Sequence, residues 1–192
     1  MDYTQFMKEC KAACRERNAC QEGYADLLRA ENVVEILNVA VRNWNDVYRS
    51  KYADIVADNI IRWFDGLEKD FHEAGIFVNE ETRKGIVIVS NAAELLTFGG
   101  NARIYVFGDA DIEAYDNCEV YCRCSDATIE LHDYASGVIE RGKVYAYDWS
   151  SVESHEKCFC YDYSSVVISK GICHDKGHRR LSWSENVTII KE

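Results

Sequence analysis

The sequence contains no proline among its 192 residues, although average usage of about 5% would place roughly ten in a chain of this length. Because proline removes a backbone donor, a chain built from helices and continuous hydrogen-bonded ladders has few positions for it. The absence also excludes a proline-rich linker between parts of the chain. We therefore expect helices and hydrogen-bonded strands to follow one another closely.

Long apolar runs and an excess of positive charge are also missing. No run of eighteen or more apolar residues occurs, and Met1 to Lys11 lacks the charged and then apolar pattern of an export signal. The sequence therefore predicts neither membrane insertion nor export, and a cytoplasmic location is expected. A balance of 22 Lys and Arg against 33 Asp and Glu gives a formal net charge of −11, which argues against direct binding to nucleic acid.

Known catalytic motifs are absent from the sequence. It has no phosphate-binding glycine loop, no Gly-x-Ser-x-Gly and no paired-histidine helix with a glutamate. His132 and His155 have carboxylates near them in sequence, but such neighbours are expected at this density of charge. We therefore predict a protein that is not an enzyme and has no cofactor. An enzyme acting on a sugar or acyl group would need acids or a histidine clustered in one cleft.

Residues 1–80 show the apolar spacing of helices and are predicted to form an α-helical N-terminal domain. A break is expected near Asn18, and Gly66 offers a stop signal for the longest helix. The predicted helices cover about 3–14, 20–30, 33–41, 43–64 and a short segment ending at 74.

From Gly85 the apolar period changes from about 3.6 to 2, and the segment repeats every eight residues. The repeat is clearest in NARIYVFG at 101–108, DADIEAYD at 109–116 and NCEVYCRC at 117–124, and looser copies continue to Lys170. In each octad the second, fourth and sixth residues are small or aliphatic, and the last is Gly, Asp or Cys. Alternation turns the aliphatic residues inward, while Gly, Asp and Asn tolerate the left-handed backbone of a corner.

This unit of strand and corner fits two folds. In a parallel β-solenoid each octad forms one face of a coil, and equivalent strands stack about 4.8 Å apart. In an antiparallel meander the corners would be the hairpins of a barrel or sandwich. Repeated Ala or Cys at one inward position favours the solenoid. We therefore predict an α+β chain, with an α-helical N-terminal cap domain over 1–80 followed by a right-handed parallel β-solenoid (β-helix) with a C-terminal capping segment over 81–192.

The octads also resemble those of known repeat proteins. Ala110 to Asn117 is similar to the Ala-x-Val-x-Ala-Tyr-Asp-Asn repeat of octapeptide-repeat β-solenoid proteins, which are mostly uncharacterised and often encoded in prophages or other mobile elements. The resemblance covers about 85–170. It implies the solenoid fold and an origin in a phage or mobile element.

Nine cysteines without an export signal predict free thiols in a reducing compartment. Cys118 and Cys122 fall on inward positions that hold Ala and Val in neighbouring octads, so packing explains them. Cys10 and Cys14 lie on the apolar stripe of the first helix and receive the same explanation.

A second group of cysteines and histidines has the residue types of a zinc site. Cys173 and His174 are adjacent, however, instead of being separated by the usual two to four residues. Packing without a metal is therefore the prediction, and zinc remains the alternative. The residues concerned are Cys158, Cys160, Cys173, His174 and His178.

The octad segment is the most acidic part of the chain, because residues 85–170 contain 14 Asp and Glu against 6 Lys and Arg. Alternation and corner positions turn these carboxylates outward, together with several tyrosines. The predicted partner-binding residues are Asp109, Asp111, Glu113, Tyr115, Asp116, Glu119, Tyr121, Glu130 and Asp133.

Such an array has two interpretations. Carboxylates can simply keep an exposed sheet in solution and block edge pairing. Alternatively, ordered carboxylates imitate a phosphate backbone, and tyrosines supply rigid contact area. The second interpretation predicts a non-catalytic inhibitor of the anti-CRISPR or anti-defence type, which occludes a basic nucleic-acid-binding surface of a host protein. The alternative class is a structural or self-assembling scaffold. The strand-like segment from Asn186 to Ile190 predicts a cap or a homodimer contact.

Overall fold

The structure is a computed structural model that describes residues 3–16, 21–50, 53–176 and 180–192. It divides into two compact units, Met1–Ile76 and Phe77–Glu192. Within the described residues the first unit is helical, and the second consists of parallel strands that coil into a β-solenoid. The predicted α+β fold, with helices followed by a parallel β-solenoid, is confirmed.

The helical unit differs from the prediction in its longest element. The single helix predicted over 43–64 is wrong, because the chain leaves the helical conformation at Ser50, where ψ is 156° and the hydroxyl donates to the carbonyl of Val47 at 2.7 Å. The break predicted near Asn18 lies outside the described residues. The helices are α1 (Tyr3–Glu16), α2 (Gln21–Arg29), α3 (Val33–Arg42), α4 (Trp44–Arg49), α5 (Ala53–Phe64) and α6 (Glu68–Glu73).

Helix α3 is at the centre of this unit and contacts α1, α2, α4 and α6. Its start is fixed by Asn32, whose side chain accepts a hydrogen bond of 2.9 Å from the backbone N–H of Glu35. Helices α1 and α5 meet where the rings of Phe6 and Trp63 pack edge to face at 5.1 Å. None of the described helices is long and apolar enough to cross a membrane.

The second unit is built from two parallel sheets. Sheet 1 contains β1 (Ile76–Val78), β2 (Ile86–Val89), β4 (Arg103–Val106), β6 (Glu119–Cys122), β8 (Ser136–Ile139), β10 (Ser151–Ser154), β12 (Ser165–Ile168) and β14 (Arg180–Trp183). Sheet 2 contains β3 (Leu96–Phe98), β5 (Asp111–Ala114), β7 (Thr128–Leu131), β9 (Lys143–Ala146), β11 (Lys157–Cys160), β13 (Gly171–Asp175) and β15 (Val187–Lys191).

Consecutive strands alternate between the two sheets, so one octad forms one strand and two octads complete a coil. Residues one coil apart are register partners, as Ile112 is with Ile129 and Ile129 with Val144. These side chains point between the sheets and are fully buried or nearly so. Burial of one such side chain stabilises the fold by about 1.5–3 kcal/mol. The repeated inward aliphatic residues therefore specify the stack.

The corners depend on residues that accept a left-handed backbone. Asp116, Asp133, Asp148 and Asp162 have φ between 50° and 56° and follow the strands β5, β7, β9 and β11. Gly171 has φ 97°, and a Cβ at this residue would lie 1.9 Å from the carbonyl oxygen of Glu156. Aspartate tolerates the left-handed backbone at its corners, whereas at 171 any side chain would also collide with the backbone, so only glycine fits there.

Candidate protein-docking surface

One corner of the solenoid repeats a four-residue pattern, in which a ring-bearing residue is followed by Asp, by a variable residue and by a small buried residue. Each copy begins directly after a strand of sheet 2, so stacking of the coils places equivalent residues about 4.8 Å apart. The copies are YDNC at 115–118, HDYA at 132–135, YDWS at 147–150 and YDYS at 161–164.

The second position of the pattern forms a line of carboxylates, which we call the aspartate row: Asp116, Asp133, Asp148 and Asp162. The carboxylate of Asp116 accepts a hydrogen bond of 2.7 Å from the backbone N–H of Gly100 and an ion pair of 2.7 Å from Arg83. Asp133 and Asp148 each accept a bond of 3.2 Å from the aspartate one coil earlier. Asp116, Asp133 and Asp148 are thus held in place by backbone N–H groups of the preceding coil.

The first position of the pattern forms a stack of four rings. The ring centroids of Tyr115 and His132 are 4.6 Å apart, those of His132 and Tyr147 are 4.8 Å apart, and those of Tyr147 and Tyr161 are 4.6 Å apart. Burial is the largest cause that raises the pKa of Tyr147 to about 12, and nearby Glu130 adds to it. The pKa of Tyr115 is raised by burial and by its hydrogen bond of 3.0 Å to Glu113. Both hydroxyls therefore stay neutral near neutral pH.

The third position of the pattern carries exposed rings, which we call the aromatic row: Tyr134, Trp149 and Tyr163. Their exposed fractions are 67%, 59% and 62%, the three largest among the exposed large apolar side chains of the described residues. The rings of Trp149 and Tyr163 stack at 4.7 Å and 10°. Each ring follows an aspartate of the aspartate row directly in sequence, so the two rows run side by side.

The outer face of sheet 2 changes its charge along the solenoid. Asp111, Glu113 and Glu130 occupy the earlier coils, whereas the same register positions two coils later carry Lys and aromatic residues. The Nζ atom of Lys143 lies 4.6 Å from the ring centroid of Tyr145, which is a cation–π contact. Acidic residues on the outer face of sheet 2 are therefore confined to the earlier coils, whereas the aspartate row continues into the later coils.

The nine predicted partner-binding residues do not share one face. Asp111, Glu113 and Glu130 lie on the outer face of sheet 2, and Tyr115, Asp116 and Asp133 belong to the corner pattern. Asp109 precedes β5 at the opposite corner. Glu119 and Tyr121 lie on sheet 1, where Tyr121 stacks at 4.9 Å on Tyr105, which is fully buried.

Sequence reasoning did not select Asp148, Trp149, Asp162 or Tyr163. These residues lie where the octads lose their constant phase, because successive register partners are separated by 17 residues from Asp111 to Thr128, by 15 from Thr128 to Lys143 and by 14 from Lys143 to Lys157. The signal that identifies them is the recurrence of Asp between two ring-bearing residues.

The group considered for zinc is only partly brought together. The Sγ atoms of Cys158, Cys160 and Cys173 lie within 4.8 Å of one another in the solenoid core. Hydrogen bonds with the other two thiols and burial raise the pKa of Cys158. His174 lies outside the core, stacks on Phe159 at 4.4 Å and pairs with Glu192 at 2.6 Å. His178 lies outside the described residues, so the structure supports a cluster of three thiols. None of the eight cysteines that the structure describes forms a disulfide.

Comparison of the chain with protein-family models, with curated proteins and with solved structures finds no match.

Proposed function

We propose that the chain is a non-catalytic binding protein that docks on a basic protein surface through the aspartate row and the aromatic row. The observation that carries the proposal is the line of three strongly exposed rings, Tyr134, Trp149 and Tyr163, directly beside the aspartates. Side chains of this type are the most frequent energetic centres of protein interfaces. Three of them in successive coils offer a contiguous contact surface on a rigid support.

The aspartate row favours a basic partner. Asp116 is paired with Arg83, and the carboxylate of Asp148 lies 3.8 Å from Nδ1 of His132. Asp133, Asp148 and Asp162 occupy successive coils, which are stacked about 4.8 Å apart. A row of negative charges complements basic surfaces that bind a phosphate backbone, which carries one charge per about 3.4 Å of helix axis on each DNA strand. Such complementarity speeds association and makes it sensitive to salt.

The biological role that fits this surface is inhibition by occlusion. Bound in a basic groove of a host protein, the two rows would keep nucleic acid out without any chemical step. Together with the resemblance to repeat proteins of prophages, this supports an inhibitor of the anti-CRISPR or anti-defence type that acts in the cytoplasm of the host cell.

The test compares two variants that remove the same kinds of group from different faces. The first combines Asp148→Asn, Trp149→Ala and Asp162→Asn on the corner, and the second combines Glu119→Gln and Trp183→Ala, which are exposed elsewhere on the solenoid. Wild type and both variants are used to capture a partner from host cells, and the affinity of the purified partner is then measured at low and high salt.

We expect the corner variant to bind at least tenfold more weakly than wild type, with a smaller dependence on salt, and the second variant to bind like wild type. We also expect nucleic acid to compete with wild type for the partner. Equal binding of wild type and the corner variant, or no competition by nucleic acid, would refute the proposal.

A further inference from the structure

Three thiols meet in the core of the solenoid, and the proposed docking function does not use them. Cys158 and Cys160 point inward from β11, and Cys173 points inward from β13 as the register partner of Cys158. The Sγ atom of Cys160 lies 3.2 Å from that of Cys173 and 3.8 Å from that of Cys158. All three side chains are fully buried.

The spacing of these sulfur atoms matches that of ligands around one small centre. An ion bound to sulfur at about 2.3 Å in a three-coordinate site holds its sulfur atoms about 3.5–4 Å apart, depending on whether the site is pyramidal or planar. The distance of 3.8 Å lies in this range, the distance of 3.2 Å lies just below it, and the third pair of sulfur atoms lies within 4.8 Å. Side-chain rotations that move the sulfur atoms by about 1 Å or less would therefore form the site.

The surroundings restrict the charge that such a site can carry. In the preceding coil, Val144 and Ala146 occupy the inward positions of Cys158 and Cys160, and Ile189 is the register partner of Cys173 in the following coil. A net charge among these apolar side chains would cost several kcal/mol. Three thiolates around a monovalent ion carry −2, those around a divalent ion carry −1, and those around a trivalent ion carry no charge.

We propose that Cys158, Cys160 and Cys173 form a closed three-sulfur site for a thiophilic trivalent ion of the arsenite class. Neutral arsenous acid, As(OH)₃, would react with the three thiols: three As–O bonds break, three As–S bonds form, and three water molecules leave, each with the proton of one thiol. Arsenic remains trivalent, and the product buried in the core carries no net charge. Soft thiolate ligands are the type that such ions prefer.

Cys122 provides an internal control. It is also fully buried and points inward, but it lies on sheet 1, and its S–H contacts the carbonyl of Cys124 at 3.6 Å. The substitution Cys160→Ala introduces the residue that occupies the same inward position one coil earlier, Ala146. Cys158→Val likewise introduces its register partner, Val144. Both substitutions are therefore compatible with the local packing.

The experiment uses the full chain, refolded from denaturant because the site is closed in the folded protein. Wild type, Cys160→Ala, Cys158→Val and Cys122→Ala are refolded with one equivalent of sodium arsenite, cadmium chloride or zinc chloride. Bound ion is measured by native mass spectrometry, free thiols by titration, and folding by circular dichroism.

For wild type we expect one arsenic per chain, the loss of three titratable thiols and a raised midpoint of unfolding. Cys122→Ala should behave like wild type, and the two site variants should bind at least tenfold more weakly while they fold normally. Absence of arsenic from refolded wild type would overturn the proposal, and so would its retention in both folded site variants. Uptake of zinc or cadmium without arsenic would overturn the assigned ion class.

Discussion

The backbone N–H of Asp116 donates a hydrogen bond of 3.2 Å to the carboxylate of Asp133, although the two residues are 17 positions apart in the sequence. The same relationship joins Asp133 to Asp148 at 3.2 Å. Asp133 and Asp148 therefore each have a positive φ at their own corner, and their carboxylates accept a hydrogen bond from the backbone N–H at the corner of the preceding coil. Three carboxylates of the candidate docking surface therefore also bind successive coils together, so a test of binding must keep these hydrogen bonds intact.

Two substitutions of Asp133 test its contribution to the stability of the corner. Asp133→Ala removes the acceptor for the N–H of Asp116 and places a residue with poor left-handed propensity at φ 52°. We expect it to lower the free energy of unfolding by about 2–3 kcal/mol. Asp133→Asn keeps an oxygen acceptor and tolerates the same φ, so the expected loss is below about 1 kcal/mol. Urea unfolding of both variants measures the difference, and equal losses would contradict this account of the corner.

Two glycines with positive φ predict different costs for the same substitution. At Gly171 (φ 97°) a Cβ would lie 1.9 Å from the carbonyl oxygen of Glu156, whereas at Gly75 (φ 76°) a Cβ would have no atom within 4 Å. Gly75→Ala should therefore cost only the backbone strain, about 1–2 kcal/mol. Gly171→Ala should cost about 3 kcal/mol or more, because the backbone must also move. Denaturant unfolding of the two variants tests the ranking, and a cost at Gly171 no larger than that at Gly75 would show that the corner has room.

The hydroxyl of Ser164 predicts a stabilising substitution. Ser164 is fully buried, and among the described residues its Oγ atom has no hydrogen-bond partner. The same position of the corner pattern carries Ala135 two coils earlier. We expect Ser164→Ala to raise the free energy of unfolding by about 1 kcal/mol and Ala135→Ser to lower it by a similar amount. The midpoints of denaturant unfolding measure both changes, and a lower midpoint for Ser164→Ala would mean that the hydroxyl is bonded in solution.

The repeat predicted the solenoid because each octad by itself indicates one strand and the corner that ends it. Inward residues such as Ile112 and Ala114, together with a corner residue such as Asp116, define a strand and its end without reference to the rest of the chain. The apolar pattern predicted the ends of the helices less well, because it does not show where a helix stops. Apolar residues continue at helical spacing past Ser50, although the helix ends there.

Which residues share the docking surface depends on how many octads complete one coil. The sequence pattern alone does not determine that number. With two octads per coil, residues eight positions apart lie on different sheets, and residues about sixteen apart stack. Glu113 and Glu119 therefore face different ways, although they are close in sequence. Asp148 belongs to the surface because each of these corners needs a residue that tolerates a left-handed backbone, even where the number of residues per coil changes. Trp149 belongs to it because it directly follows Asp148.

The raised pKa of Tyr147 predicts a loss of stability at high pH. The folded-state pKa of about 12 lies above the ordinary value of 10.0, mainly because burial disfavours the phenolate. The associated stabilisation is therefore complete below pH 10 and is lost as the pH rises towards 12. Burial also raises the pKa of the Cys122 thiol to about 12, so wild type has more than one such contribution. Unfolding of wild type and Tyr147→Phe is compared across this range, and the variant should show the shallower decline. Parallel curves would exclude a contribution from Tyr147.

The last strand of sheet 2 predicts self-association. Strand β15 pairs with β13, and its other edge faces no strand in the part of the chain that the structure describes. Val187 and Ile189 are only half-buried, whereas Cys173 on the preceding strand is fully buried. We expect two copies to pair through this edge about a twofold axis, which closes at a dimer. Light scattering over a hundredfold range of concentration should show a mass that rises to that of two chains. Ile189→Glu should remain a monomer, and Val167→Glu, at an exposed apolar position on sheet 1, should dimerise like wild type. A monomer mass at every concentration would contradict the prediction, and growth beyond a dimer would favour the scaffold alternative.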